Sequence, residues 1–240
     1  MGPDDEARAW DARLGWAFGL IAEDPAERAL AVERQAGARR NAHEAHERWN
    51  ERGREAGALG WEEQRRDPAF VRVAEAHKAY GEAVSRTLPD GLWGNMSGRD
   101  IRSWPGLPYA LLFLEWEARF PQEWTEHAKA WETKKSLLRR LALAGHDETV
   151  RAKLTDLVEL VVRRPHRCED RTYAHVARAV DSEEPRRRLT ALAASDEPWV
   201  RLNAGCVLRL LGNPGLAVSR HTWNTWLAEA PDGRSSAPRG

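Results

Sequence analysis

The chain has 240 residues and a mass of 27.2 kDa, with 37 basic residues against 37 acidic ones and a formal net charge of zero. That length holds one large domain or two small ones, and 42% hydrophobic with 31% charged residues excludes a disordered or fibrous chain. No apolar stretch approaches the roughly 18 residues of a membrane span. The acidic start Met1–Glu6 carries no secretory pattern, and two cysteines, Cys168 and Cys206, make no disulfide framework, so a reducing, cytoplasmic setting is expected. Thirty-two of the 37 basic residues are arginine, a bias that codon usage explains without any chemistry. Twelve tryptophans beside 4 Phe and 3 Tyr enrich cores and binding surfaces alike.

In chain order the punctuation is helical. An acidic residue followed by proline, a helix-start signal, stands at Asp24-Pro25, Asp67-Pro68, Glu184-Pro185 and Glu197-Pro198. Trp10, Leu14, Phe18 and Ile21 recur at three- and four-residue steps. Residues 26–66 are rich in Ala, Glu, Arg and His and read as a long polar helix, a solvated arm broken near Gly53–Gly60. Intrahelical pairs such as Glu44–Arg48 support it. Phe70, Val73, His77, Tyr80, Val84 and Leu88 continue the period.

Residues 88–108 hold several Pro and Gly and cannot be a regular helix. Loops of this length are usually functional or linkers, and this one carries Trp93, Ile101 and Trp104. It is both the expected boundary and the expected site. Behind it Phe113, Trp116, Phe120, Trp124 and Trp131 follow helical spacing and read as core. Leu154, Leu157, Val158 and Val161 repeat the step, and no hairpin alternation appears, so the chain reads as all-α. The expected division is 1–88, an N-terminal helical region; 89–107, the Gly/Pro/Trp-rich loop; 108–230, helical repeats; and 231–240, a disordered tail. Charge shifts along the way, from 17 basic against 21 acidic groups in residues 1–120 to 20 against 16 in 121–240.

An internal repeat is the strongest signal. Arg187–Arg201, with Asp196-Glu-Pro-Trp-Val200-Arg201, echoes Arg139–Arg151, with Asp147-Glu-Thr-Val150-Arg151, and Asp67–Arg72 is a fainter copy. The expected elbow is a helix ending in small residues and an Asp cap. An inward Val then opens the next helix, and an Arg stem folds over the turn. Asp196, Pro198, Val200, Arg201, Ala204, Leu208 and the turn Leu211-Gly212-Asn213-Pro214 resemble the HEAT repeat class, clearest over residues 135–230. The copy at 147–151 lacks the proline and carries Lys153 where a small residue is expected. The resemblance implies antiparallel helix pairs stacked in a short right-handed solenoid, here with an N-terminal helical extension. Such stacks present curved surfaces that hold proteins, peptides or nucleic acid.

Chemistry-bearing patterns are few. His43 and His46 share a helix, with His77 on another, as weak metal candidates against a reading as solvated surface. No nucleophile elbow or phosphate-binding glycine fingerprint occurs, and no cofactor is expected. Around the loop, Trp93, Arg99, Asp100, Arg102 and Trp104, joined by Trp116, combine aromatic walls with both charge signs and form the candidate binding set. Asp100 and Glu115 are the acid/base candidates if the protein is an enzyme. Arg163, Arg164, Arg167, Arg171, Arg186–Arg188, Lys134, Lys135, Arg139 and Arg140 could align as a basic stripe, although acidic neighbours are interspersed.

Three functions follow in order. The first is a HEAT-like adaptor that recognises a protein or peptide partner on a concave Trp/Arg-lined surface. The second is a small-molecule enzyme with its pocket near residues 93–131. The third is a DNA-associated protein resembling, in architecture only, the HEAT-like alkylpurine DNA glycosylases.

Overall fold

The computed structural model describes residues 2–57, 68–95 and 100–229. Every regular element among them is helical, and the chain divides into two compact units, residues 1–129 and 130–240.

In the first unit α1 (Pro3–Leu14) runs into a 3₁₀ segment, Gly15–Ile21, that buries Ala17 and Leu20. Helix α2 (Pro25–Gly57) opens on Asp24, whose carboxylate accepts the amide of Ala26 at 2.9 Å. At 33 residues it is about 50 Å long, and α3 (Pro68–Val84) lies along it. The ring pairs His46–Tyr80 at 5.0 Å and Trp49–His77 at 4.7 Å fix an antiparallel register. The polar arm therefore packs back on its neighbour. Its buried positions are not its large side chains: Ala31, Gln35, Ala42, Ala45 and Ala56 face inward, whereas Leu30 is 69% exposed. Alanine removes side-chain bulk from the seam, so the two backbones approach closely, and the charged residues of α2 need no core.

Buried Gln35 closes the open end of this hairpin. Its Oε1 accepts the amide of Leu88 at 3.1 Å and its Nε2 donates to the carbonyl of Leu88 at 2.6 Å. Both main-chain groups of Leu88 are thus satisfied inside the protein, where an unpaired one would cost about 1–3 kcal/mol. Described residues of the stretch that follows contribute to the core. Leu88, Leu92, Ile101 and Trp104 are all buried, which is why the chain continues through it without a unit boundary. Two 3₁₀ turns, Asp90–Asn95 and Ile101–Ser103, lead to α4 (Leu107–Arg119) and α5 (Pro121–Ala128). Helix α4 is buried on nearly every face, and Phe113 and Trp124 meet at 5.6 Å, as the aromatic spacing implies.

The second unit comprises α6 (Trp131–Leu143), α7 (Glu148–Val162), a 3₁₀ turn at Asp170–Thr172, α8 (Tyr173–Ala179), α9 (Glu183–Ala193), α10 (Pro198–Gly212) and α11 (Arg220–Glu229). Helices α9 and α10 pair closely, while α6 packs on α8 more than on the α7 that follows it. The elbows differ accordingly. Val200 is buried and Arg201 folds back to the carbonyl of Ser195 at 2.6 Å. At the other elbow Asp147 caps Val150 at 2.9 Å, and Arg151 reaches instead to the carbonyls of Ala179 and Val180 at the end of α8. Val71 of the faint third copy is 59% exposed on α3, so that position opens no buried corner. Its Asp67 lies outside the described residues.

Arginine also satisfies helix ends elsewhere. The guanidinium of Arg178 donates to the carbonyls of Leu210, Asn213 and Leu216, and that of Arg186 to Leu211. These are the last carbonyls of α10 and its turn, which lack intrahelical partners.

One substitution tests the core of the first unit. Gly106 sits where a Cβ would enter the ring of Trp104 and stand 2.7 Å from Trp10, whose own ring meets Trp104 edge-to-face at 5.4 Å. Gly106→Ala is expected to cost about 1–3 kcal/mol in urea unfolding, while the same change at Gly145, which has open space around it, stays near neutral.

Candidate functional site

Trp104 and Trp116 are 2% and 0% exposed and serve the core, and Trp93 is half-buried. Asp100 caps the second 3₁₀ turn through the amide of Arg102 at 3.0 Å and binds the exposed Arg102 guanidinium at 2.8 Å. Glu115 is buried and pairs with Arg119 at 2.9 Å. Arg99 lies outside the described residues. The histidines serve an aromatic contact: His46 and His77 flank Trp49, and His43 pairs with Glu47 at 3.4 Å. Among the described residues no three His, Cys, Asp or Glu side chains are grouped to hold a metal.

The basic residues considered for a stripe are largely compensated. Arg163 binds Glu159, Arg187 binds Glu184, Arg186 binds Asp181, and Arg188 spans Asp156 and Glu159. Lys135 lies near Glu132 and Glu169. Lys134 and Arg164 go further and form a buried network.

That network converges on Asp170. Its carboxylate takes Lys134 Nζ at 2.5 Å, both Arg164 amino groups at 2.9 and 3.1 Å, and the amide of Arg167 at 2.7 Å. The Lys134 ammonium also donates to the carbonyl of Cys168 at 3.1 Å and lies 5.5 Å from the ring of Tyr173. Lys134 is 0% and Asp170 5% exposed, so these charges have lost their water and depend on each other. Residue 169 turns the chain into this position: Glu169 has φ 63°, a left-handed conformation uncommon outside glycine. From the same loop the carbonyls of Val162 and Arg164 accept the amide of Asn203, which ties the loop to α10.

A half-open cavity of about 60 Å³ lies against this loop. Val158, Val161, Val162, Val207, Leu210 and Val218 give it an apolar wall, and His166, Asn203, Ser219 and Thr222 contribute polar atoms. His166 stacks on Trp223 at 5.3 Å and 18°. Burial pushes its imidazole below the ordinary value, reinforced by Arg171, Lys134 and Arg164 and opposed by Asp170. It is therefore neutral at pH 7 and offers one donor and one acceptor. Cys206 lines the same cavity, and burial pushes its thiol up to about 12, against the weaker pull of Arg209, so it stays protonated and unreactive.

In the sequence Lys134, Arg164 and Arg167 stand only as members of a possible basic stripe, and no periodic pattern gathers them on Asp170 or sets His166 beside a cavity. A pointer was present: Pro165, His166 and Asp170 interrupt two apolar helices with polar groups that a plain connector does not need. No family model, curated protein or solved structure matches this chain.

Asp170→Asn leaves two buried cations without their anion and is expected to cost about 3–5 kcal/mol. Lys134→Met, which leaves Asp170 bound to Arg164, costs less, and paired urea titrations read the order. The depressed imidazole sets a pH dependence. Below about pH 6.5 the unfolded chain binds a proton that folded His166 resists, so stability falls on acidification and is regained above that pH. His166→Phe, which keeps a ring on Trp223, should shrink the drop in Tm between about pH 7.5 and 5.5.

Proposed function

We propose that this protein is a binding module of HEAT-like helical pairs in residues 130–229, which takes an apolar side chain of a protein or peptide partner into the Val/Leu-walled cavity beside His166. The observation that carries the reading is the size and lining of that cavity. Small-molecule sites run to roughly 300–1,000 Å³, whereas about 60 Å³ accommodates part of one side chain and leaves the rest of a ligand outside. Peptide recognition by a single apolar anchor has that geometry. Trp223 and Arg171 line the cavity too, and an aromatic ring and a guanidinium beside an apolar pocket support the reading.

The enzymatic reading is less well supported, because its tryptophan walls Trp104 and Trp116 are buried in the core and its Asp100 is occupied by Arg102. The nucleic-acid reading loses force from the pairing of its basic residues with carboxylates.

Selection from a random peptide library on the purified protein tests the proposal. Captured peptides should share one apolar anchor position and bind Val207→Glu at least about tenfold more weakly, with unchanged binding to Leu143→Glu on an exposed helix end. Peptides with no common anchor, or equal binding to Val207→Glu, would remove the reading.

A further inference from the structure

The first unit carries a second concave feature, of a different chemistry. The end of α1, the 3₁₀ turn after it, the middle of α2 and the end of α3 enclose a groove of about 630 Å³. Small residues line it, Ala12, Gly37, Ala38, Ala79 and Ala83, and its polar groups are Arg13, Arg34, Arg86, Asn41 and Glu82. Three guanidinium groups therefore share one groove with a single carboxylate, and Glu82 itself stands 3.9 Å from Lys78.

The three arginines differ from most in the protein. Elsewhere guanidinium groups bind carboxylates or collect helix-end carbonyls, as with Arg188, Arg178 and Arg201. Arg13, Arg34 and Arg86 have no carboxylate within ion-pair distance among the described residues. Two of them are held in place by aromatic faces instead. Arg13 lies over Trp10 at 4.5 Å and donates through Nε to Ala9, while Arg34 lies over Trp16 at 5.6 Å. Trp16 is in turn fixed by its indole N–H on the carbonyl of Arg13 at 3.0 Å. A cation–π contact orders a guanidinium without consuming its terminal N–H donors, which stay available to an anion.

We propose that this groove binds a small phosphate-bearing molecule, with Arg13, Arg34 and Arg86 as its cations and Asn41 as a neutral hydrogen-bond partner. Three like charges in one concavity repel one another and attract a multiply charged anion. Guanidinium forks match the paired oxygens of a phosphate group. The volume is that of a small-molecule site, and the alanine and glycine residues in its lining add little bulk to hold a ligand away from the arginines.

Isothermal titration of the full chain with inorganic pyrophosphate, and in parallel with adenosine diphosphate, tests the assignment. Wild type should bind pyrophosphate at low salt, with affinity falling as salt rises. Arg34→Ala/Arg86→Ala, both exposed positions, should weaken binding at least about tenfold with an unaltered helical circular dichroism spectrum. Arg34→Lys/Arg86→Lys, which retains charge without the fork, should fall between. Arg139→Ala/Arg140→Ala, exposed arginines of the second unit, should bind like wild type. Tighter binding of the nucleotide than of pyrophosphate would show that the organic part also contacts the groove. Failure of wild type to bind pyrophosphate, or equal binding by the double alanine variant, would overturn the proposal.

Discussion

The second unit depends on one carboxylate. Asp170 neutralises the buried Lys134 and the partly buried Arg164, and a left-handed residue at 169 aims it there. A buried ion pair contributes little net stability over an apolar replacement, yet removing one member is severe. The role of Asp170 is therefore to specify position. It sets the path of residues 163–172, and that path puts His166 on Trp223 and the carbonyls of Val162 and Arg164 on Asn203. The cavity wall is a result of this placement.

A second constraint runs through the whole chain, the demand of helix ends for hydrogen-bond partners. Short helices expose many terminal carbonyls, and this protein meets much of the demand with arginine. One guanidinium can serve several carbonyls at once, as Arg178 does for three. The arginine excess, whatever its origin in the genome, is put to structural use. It also explains how a chain of zero net charge can hold so many cations near its interior. The groove at Arg13, Arg34 and Arg86 stands out against that background, since these guanidinium groups line an open concavity, and of the three only Arg13 meets a carbonyl, that of Ala9, through its Nε.

Much of the architecture was legible in the sequence. The three- and four-residue apolar steps fixed the helical class, acid–proline signals located starts such as that of α2, and Val200–Arg201 marked a buried corner. Other features escaped for physical reasons. The seam of α2 is written in alanine, which helix propensity favours equally on an exposed face. Hence the arm read as solvated. A run of Pro and Gly read as a site, although its Leu88, Leu92, Ile101 and Trp104 are core side chains that need no regular helix to be buried. Lys134 read as surface because nothing local signals a partner 36 residues away. Long-range pairing of charge leaves no periodic trace.

The alanine seam has a bearing on how this sequence can drift. Where two helix backbones run this close, a larger side chain at Ala42 or Ala45 must push them apart along their length, whereas glycine or serine fits with little adjustment. The outward positions of the same helix carry no such restriction and can exchange one charge for another freely. Descendants of this gene would thus diverge fastest in the very residues that dominate the composition of residues 26–57, and slowest in the plain ones between them.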